Sequence, residues 1–285
     1  MPASAPSSAA SAGTLYVVST PIGNLGDFSR RGIETLSSAQ LIVAEDTRHS
    51  KRLLDHHGIQ TAVSSYHEHN EAKETPRLVA RLIAGDSIAL ISDAGTPLLS
   101  DPGSRLVAAA VEAGVRVVPI PGASAVMAAL VASGLPVERF TFFGFLPRKG
   151  RERRDSIAGV IDSRWTVALF ESPNRVAATL GALAAEGGGD RRAVVARELT
   201  KQFEEFRRGT ISELAAIYEE AAPRGEVVIL IAGREEVAAD EGQLEQAAAD
   251  LRAAGGAPRE IMDRLIAEHG APRNLAYRLA HATAS

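Results

Sequence analysis

The amino-acid sequence predicts two α/β domains followed by a small C-terminal helical appendage. Short β-branched or aliphatic runs alternate with helical patterns up to about residue 135, the grammar of βαβ units and a mostly parallel sheet. From Arg139 onward strand candidates come closer together, so the second sheet is expected to be mixed. After Gly233 the composition turns acidic and only helical patterns follow.

In the first domain the strand candidates are residues 15–19, 41–44, 87–91 and 116–120, each followed by a turn rich in Gly, Pro or Asp. Helices are expected over 29–38, 47–56, 71–84, 103–113 and 123–131. Gly58, Gly85 and Gly114 stand just past three of these ends, where a left-handed cap suits a residue without a β-carbon. A joint at 133–138 divides domain 14–135 from domain 136–234. In the second domain the strands are expected over 140–143, 166–170, 192–196, 205–209 and 226–231, with two connections too short for a helix. The short link at 199–204 permits an antiparallel pair.

Residues 235–250 carry six acids and no base, which reads as a linker running into a solvated helix. Helical patterns over 244–254, 258–269 and 272–282 complete the appendage, 235–285, with Leu265, Ile266, Leu275, Tyr277 and Leu279 as its expected core.

Composition narrows the chemistry. The chain has 285 residues, 45% of them apolar and 23% charged, values of an ordinary globular protein with room for two domains. It contains no cysteine, so a disulfide framework, a thiolate nucleophile, a cysteine zinc site and an iron–sulfur cluster are all excluded. The net charge of −4 removes the strongly basic balance of many nucleic-acid binders and leaves a local basic patch open. The longest apolar run, residues 125–132, is far short of the roughly 20 residues a membrane span needs. Residues 1–13, mostly Ala, Ser, Pro and Gly, are expected to form a flexible tail rather than a signal peptide, and the expected compartment is the cytoplasm.

Four loops rich in Gly and Pro follow strands: 19–27, 92–103, 119–124 and 171–174. Loops leaving the carboxyl ends of strands gather on one edge of an open sheet, where ligands bind, although any one of them alone is equally an ordinary βα turn. None is a nucleotide fingerprint. Gly23 and Gly26 lack the three-glycine spacing for a pyrophosphate, and no lysine stands where a P-loop requires it.

The 19–27 and 92–103 loops, Pro121-Gly122-Ala123-Ser124-Ala125, Gly144-Phe145-Leu146-Pro147-Arg148-Lys149-Gly150, Phe170-Glu171-Ser172-Pro173 and Arg197-Glu198-Leu199-Thr200-Lys201 occur in an order that resembles the class III, tetrapyrrole-methylase-like methyltransferases. More narrowly, the set resembles the branch that methylates the ribose 2′-hydroxyl of a decoding-centre cytidine in 16S ribosomal RNA. The resemblance runs from about Thr14 to the C-terminus. It implies S-adenosylmethionine as the cofactor, held in a cleft between the two α/β domains, with no metal, and a homodimer acting on 16S rRNA or the assembled small subunit, with no membrane partner. The cofactor contacts it implies are Pro21, Asp93, Ala94, Gly95, Thr96, Ser124, Ala125, Phe170, Leu199, Gly225 and Glu226. Tetrapyrrole methylases carry Gly-Gly-Asp-Pro where this chain has Ala94-Gly95-Thr96-Pro97, which places the substrate outside the tetrapyrrole class.

For the acceptor side the candidates are Glu45 and Asp46, after the strand at 41–44, and His67, after the segment 62–66. A 2′-hydroxyl is a very weak acid, and a base beside it helps most as its proton leaves. Asp46 serves equally well as a helix N-cap, and Glu45 as a partner for Arg48. His67 and His69 with Glu68 suggest a metal site only weakly, because alternate residues of an extended segment point to opposite sides. Arg148, Lys149, Arg151, Arg153 and Arg154 form a basic loop suited to RNA phosphates or simply to solvation. Arg273 and Arg278 make the appendage a candidate second RNA contact, although an ordinary amphipathic bundle would look similar. Two other classes fit less well: a small-molecule methyltransferase, against which the basic segments argue, and a non-catalytic RNA binder, against which the cofactor loops argue.

Overall fold

The computed structural model describes residues 12–234 and 241–282. Of the expected tail only Ala12 and Gly13 fall among them, and Gly13 is tied down by its N–H donating to Leu82 O at 2.8 Å. Residues 235–240 of the expected acidic linker lie outside the described residues. The chain forms two compact units, one ending at Gly233 and the other starting at Arg234. No helix among the described residues is long and apolar enough to cross a membrane.

The first unit opens with strands β1 (Thr14–Val18), β2 (Leu41–Ala44), β3 (Val63–Ser65), β4 (Ile88–Ile91) and β5 (Arg116–Ile120). Between and after them run helices α1 (Arg30–Ser38), α2 (Thr47–His56), α3 (Glu71–Ile83), α4 (Ser104–Glu112) and α5 (Ala125–Ser133). The sheet order is β3-β2-β4-β1-β5 and every pair is parallel. One apolar cluster packs α1 and α2 on one face, around Leu36, Leu53 and Ile42; another packs α3 and α4 on the opposite face, around Leu78, Leu106 and Leu90. Gly58, Gly85 and Gly114 take positive φ past α2, α3 and α4, as the capping pattern predicts.

The second sheet contains β6 (Phe140–Phe145), β7 (Thr166–Glu171), β8 (Arg192–Arg197), β9 (Glu205–Thr210) and β10 (Val227–Ile231), in the order β6-β7-β10-β8-β9. It is mixed: β6 and β7 are parallel, and the other pairs are antiparallel. The helices are α6 (Gly150–Asp162), α7 (Val176–Leu183) and α8 (Ile211–Glu220). Three of the four connections thus carry a helix and only 198–204 is too short for one, a correction to the two short links expected from sequence. The basic loop also needs correcting. From Gly150 it is helix α6, whose Ile157 and Val160 are buried against the sheet and hold the segment in helical form.

Alternation along β10 shows how the domains join. Val227, Ile229 and Ile231 enter the cluster shared with α6, α7 and α8, whereas Val228 and Leu230 enter a cluster with Val126, Ala129 and Leu130 of α5. Helix α5 follows the last strand of the first sheet, yet it packs on the second. It is apolar all round, with Val126, Ala129 and Leu130 buried against the second sheet and Met127, Val131 and Ala132 exposed.

The second unit consists of α9 (Glu241–Ala253), α10 (Pro258–His269) and α11 (Arg273–His281) around Leu244, Ala248, Ile261, Leu265, Ala276 and Leu279. Ile266 and Tyr277, expected in this core, are 36% and 58% exposed, because the small residues Ala248, Ala276 and Ala280 bring the helices close enough to exclude them.

Candidate active site

Strand order creates the site. From β1 the chain winds outward to β2 and β3, whereas from β4 it crosses over β1 to β5, so the loops after β1 and β4 part at a topological switch point. They are stitched together: Thr20 N–H donates to Gly95 O at 2.8 Å, and Gly95 N–H returns to Thr20 O at 3.1 Å. Thr96 Oγ1 donates to Ala123 O at 3.2 Å and lies 3.1 Å from Ser19 Oγ, which ties in the loop after β5. Ser124 then caps α5 by accepting the Met127 N–H.

These loops face the carboxyl end of β7 and the start of β10 across a cleft of about 410 Å³. Asp93, Ala94, Gly95, Thr96, Ser124 and Ala125 line it from one side, and Phe170, Leu199, Gly225 and Glu226 from the other. All the cofactor contacts expected from sequence are therefore brought together except Pro21, which lines an adjoining cavity. The sequence reading missed Leu99, Asp101 and Glu171, which also line the cleft and lie within the motifs already quoted. It missed Phe145 in the same way; this ring stands 5.5 Å from that of Phe170 and is 54% exposed.

Two leucines are presented by unusual backbone. Leu98 and Ser100 bracket Leu99 with φ of 73° and 73°, and Glu198 and Thr200 bracket Leu199 with φ of 51° and 66°. These are the non-glycine residues with positive φ among the described residues, and each such conformation costs on the order of 1–3 kcal/mol. All four flank or belong to the residues that line the cleft.

The cleft is acidic at one end. Burial raises the Glu45 carboxyl above its ordinary value, and the neighbouring charges of Asp101, Asp93, Asp46 and Glu68 add to the effect. Asp101 is also raised, by burial first, against a lowering hydrogen bond from the Ser92 hydroxyl. Asp46 behaves differently. Its side chain caps α2 by accepting the Arg48 N–H at 2.8 Å and pairs with the Arg48 guanidinium at 2.9 Å, which holds it at about 2. Arg48 thus pairs with Asp46 and not with Glu45. The Asp46 N–H donates to Asp93 Oδ1 at 3.1 Å, anchoring α2 to the cleft loop.

Of the three acceptor-side candidates only Glu45 lines the cleft. His67 turns its backbone N–H to Asn70 Oδ1 at 2.9 Å, and its Nδ1 is buried without a partner. The ring lies 6.0 Å from that of His69.

The basic residues at α6 split in two. Arg148, Lys149 and Arg154 are exposed, and Arg151 pairs with Asp155 at 3.4 Å. Arg153 turns inward, donating to Pro147 O at 3.1 Å and to Thr179 Oγ1 at 3.2 Å. It joins a buried network in which Glu171 accepts from Thr179 Oγ1 at 2.7 Å and pairs with Arg175 at 3.4 Å, so Arg153 serves the cleft wall instead of the surface. In the helical unit Arg273 is exposed at the first turn of α11, whereas Arg278 is engaged by Glu241.

Residues 14–215 match the family of tetrapyrrole (corrin/porphyrin) methylases. Solved structures with this fold include diphthine synthase, at 18% identity and a TM-score of 0.59 over 77% of this chain and 89% of that one. A uroporphyrin-III C-methyltransferase from Thermus thermophilus, complexed with S-adenosyl homocysteine, aligns at 16% identity and a TM-score of 0.55 over 77% and 97% of the two chains. Closer in sequence are proteins named ribosomal RNA small subunit methyltransferase I. The Mesorhizobium japonicum protein is 52% identical over 80% of this chain and 77% of its own length. The Synechocystis protein is 45% identical over 94% and 97%. The switch-point cleft, the matched domain and these similarities over most of the chain together establish that the chain belongs to the tetrapyrrole methylase family, in the branch of the ribosomal RNA small subunit methyltransferase I proteins.

Proposed function

We propose that the chain transfers a methyl group from S-adenosylmethionine to the 2′-hydroxyl of a decoding-centre cytidine in 16S ribosomal RNA, acting in the cytoplasm as a homodimer. The observation that carries this reading is the cleft itself, in which residues from both α/β domains converge, in a chain nearly coextensive with relatives named for methylating small-subunit rRNA.

The residues present fit the cofactor. The cleft, at about 410 Å³, lies in the roughly 300–1,000 Å³ range of small-molecule sites and is lined mainly by apolar side chains with a few placed polar groups. Phe170, Leu199 and Val228 offer apolar faces for a purine, and Asp93, Thr96 and Ser124 offer polar atoms for an amino acid and a ribose. A solved protein of the same fold carries S-adenosyl homocysteine, which supports the assignment. When bound, S-adenosylmethionine supplies an electrophilic methyl on a sulfonium centre.

The chain's residues hold, orient and deprotonate. Glu45, with its raised carboxyl, is the proton acceptor at the 2′-oxygen: a base whose proton affinity lies nearer the working pH takes the proton more effectively. The stitched Thr20–Gly95 and Thr96–Ala123 loops fix the cleft before binding, so alignment of oxygen and methyl costs little at the moment of reaction. Arg148, Lys149, Arg154 and Arg273 supply exposed charge for RNA phosphates.

Mass spectrometry of ribosomal RNA from cells with and without the protein tests the reading. Loss of one ribose methyl on a small-subunit cytidine, restored by the wild-type chain, supports it. An unchanged methylation profile overturns it.

A further inference from the structure

A cavity of about 810 Å³ adjoins the cofactor cleft and shares Ile22, Asp93, Ala94 and Glu226 with it. One wall is α2, from which His49, Ser50, Arg52, Leu53, Asp55 and His56 line the cavity. The opposite side is formed by Gly23 and Leu25 of the first loop and by Lys201 from the second domain. Ser50, on the same helix, is 3% exposed, and its Oγ is sealed from solvent without a hydrogen-bond partner.

We infer that this cavity seats the ribose-phosphate backbone of the RNA strand at the methyl acceptor, with Arg52 and His49 on phosphate oxygens. The inference rests on the rRNA reading above and gives it an acceptor subsite. Three features select this occupant. The shared wall opens the cavity directly onto Asp93 and Ala94 of the cofactor cleft, so a sugar here has its neighbour at the methyl. The Arg52 guanidinium is exposed and forked, the geometry that fits phosphate oxygens. Leu25 and Leu53 provide apolar contact for a base or sugar face, which an inorganic anion does not need. Lys201 is held by Glu198 at 2.9 Å and Glu226 at 3.0 Å, so it braces the cavity mouth and leaves phosphate contact to Arg52.

The test uses the full chain saturated with S-adenosyl homocysteine and purified small ribosomal subunits from cells lacking the protein, with affinity measured across a salt series. Arg52→Ala is expected to weaken binding about tenfold and to lower the slope of log affinity against log salt by roughly 0.7–0.9, the loss of one phosphate contact. His49→Ala weakens binding several-fold, and Arg52→Lys restores the salt slope. Lys51→Ala, the same charge on the outward side of the same helix, leaves both quantities unchanged. Calorimetric affinity for S-adenosyl homocysteine stays at the wild-type value throughout. If Arg52→Ala and His49→Ala bind like wild type, or if Lys51→Ala weakens binding as much as Arg52→Ala, the cavity is not the acceptor subsite. If binding depends on Arg52 but no methyl group is transferred to the subunit, the methylation reading fails while the subsite stands.

Discussion

The Glu198 carboxylate lies over the bare Cα of Gly225, where an added β-carbon would sit 1.8 Å from Oε1. Glu198 Oε1 accepts from Lys201 Nζ at 2.9 Å and from the Glu226 N–H at 3.3 Å, so one carboxylate binds together two segments of the cleft wall. The φ of Gly225, +82°, is itself a conformation that residues with side chains rarely adopt.

Gly225→Ala is expected to displace Glu198 and open this wall. Strained backbone adds about 1–2 kcal/mol, which in a protein of this size lowers the melting temperature by roughly 2–4 °C per kcal/mol. Calorimetry should show affinity for S-adenosyl homocysteine reduced at least about tenfold. Wild-type affinity in a folded Gly225→Ala protein would remove Gly225 and Glu198 from the site.

Glu45→Gln separates stability from chemistry. A carboxyl raised in the folded state contributes stability that is fully present below its unfolded value, near 4.5, and lost as pH rises through its folded value. The charged Glu45 is therefore a liability at neutral pH, and Glu45→Gln should melt no lower than wild type there. Methyl transfer should nonetheless slow by about 10²–10⁴-fold. In the wild type, kcat should decline on the acid side along a limb displaced above the ordinary glutamate range. A variant retaining full activity would show that alignment alone carries the reaction.

Two neighbouring arginines should respond in opposite ways. Arg153→Ala removes hydrogen bonds to Pro147 O and Thr179 Oγ1 and should cost about 1–3 kcal/mol in denaturant unfolding, with no change in the salt dependence of RNA binding. Arg154→Ala should leave stability within about 0.5 kcal/mol of wild type and lower the salt slope by roughly 0.7–0.9. Equal effects of the two substitutions on RNA would contradict the inward placement of Arg153.

Truncation after Arg234 removes the helical unit, which has its own core around Leu244, Ile261 and Leu265. The remaining unit should fold and bind S-adenosyl homocysteine with nearly unchanged affinity, because every cleft residue precedes Gly233. Its affinity for small subunits should fall and its salt slope become shallower. Loss of cofactor binding on truncation would instead make the helices a structural brace.

Much of this protein is legible in the sequence because secondary structure answers to neighbours a few residues away. The run 41–44 and the pattern 47–56 coincide with β2 and α2, and the glycines at 58, 85 and 114 adopt the positive φ that their places after helices require. The cleft loops were legible for a related reason: rigid, sharply turning backbone needs Gly and Pro, and those residues stand out in the chain. What the sequence did not determine depends on distance through space. Whether α5 would pack on its own sheet or the next was decided by the apolar face that β8 and β10 leave open. Arg153 and Arg154 are alike in sequence, and only the position of Thr179 and Pro147 turns one inward. Glu45 and Asp46 are adjacent carboxylates, yet tertiary structure places one, half-buried, near Asp93 and Asp101 and gives the other the α2 N-terminus and Arg48. Proton affinity follows burial and surrounding charge, and those are set only when strands distant in sequence lie side by side.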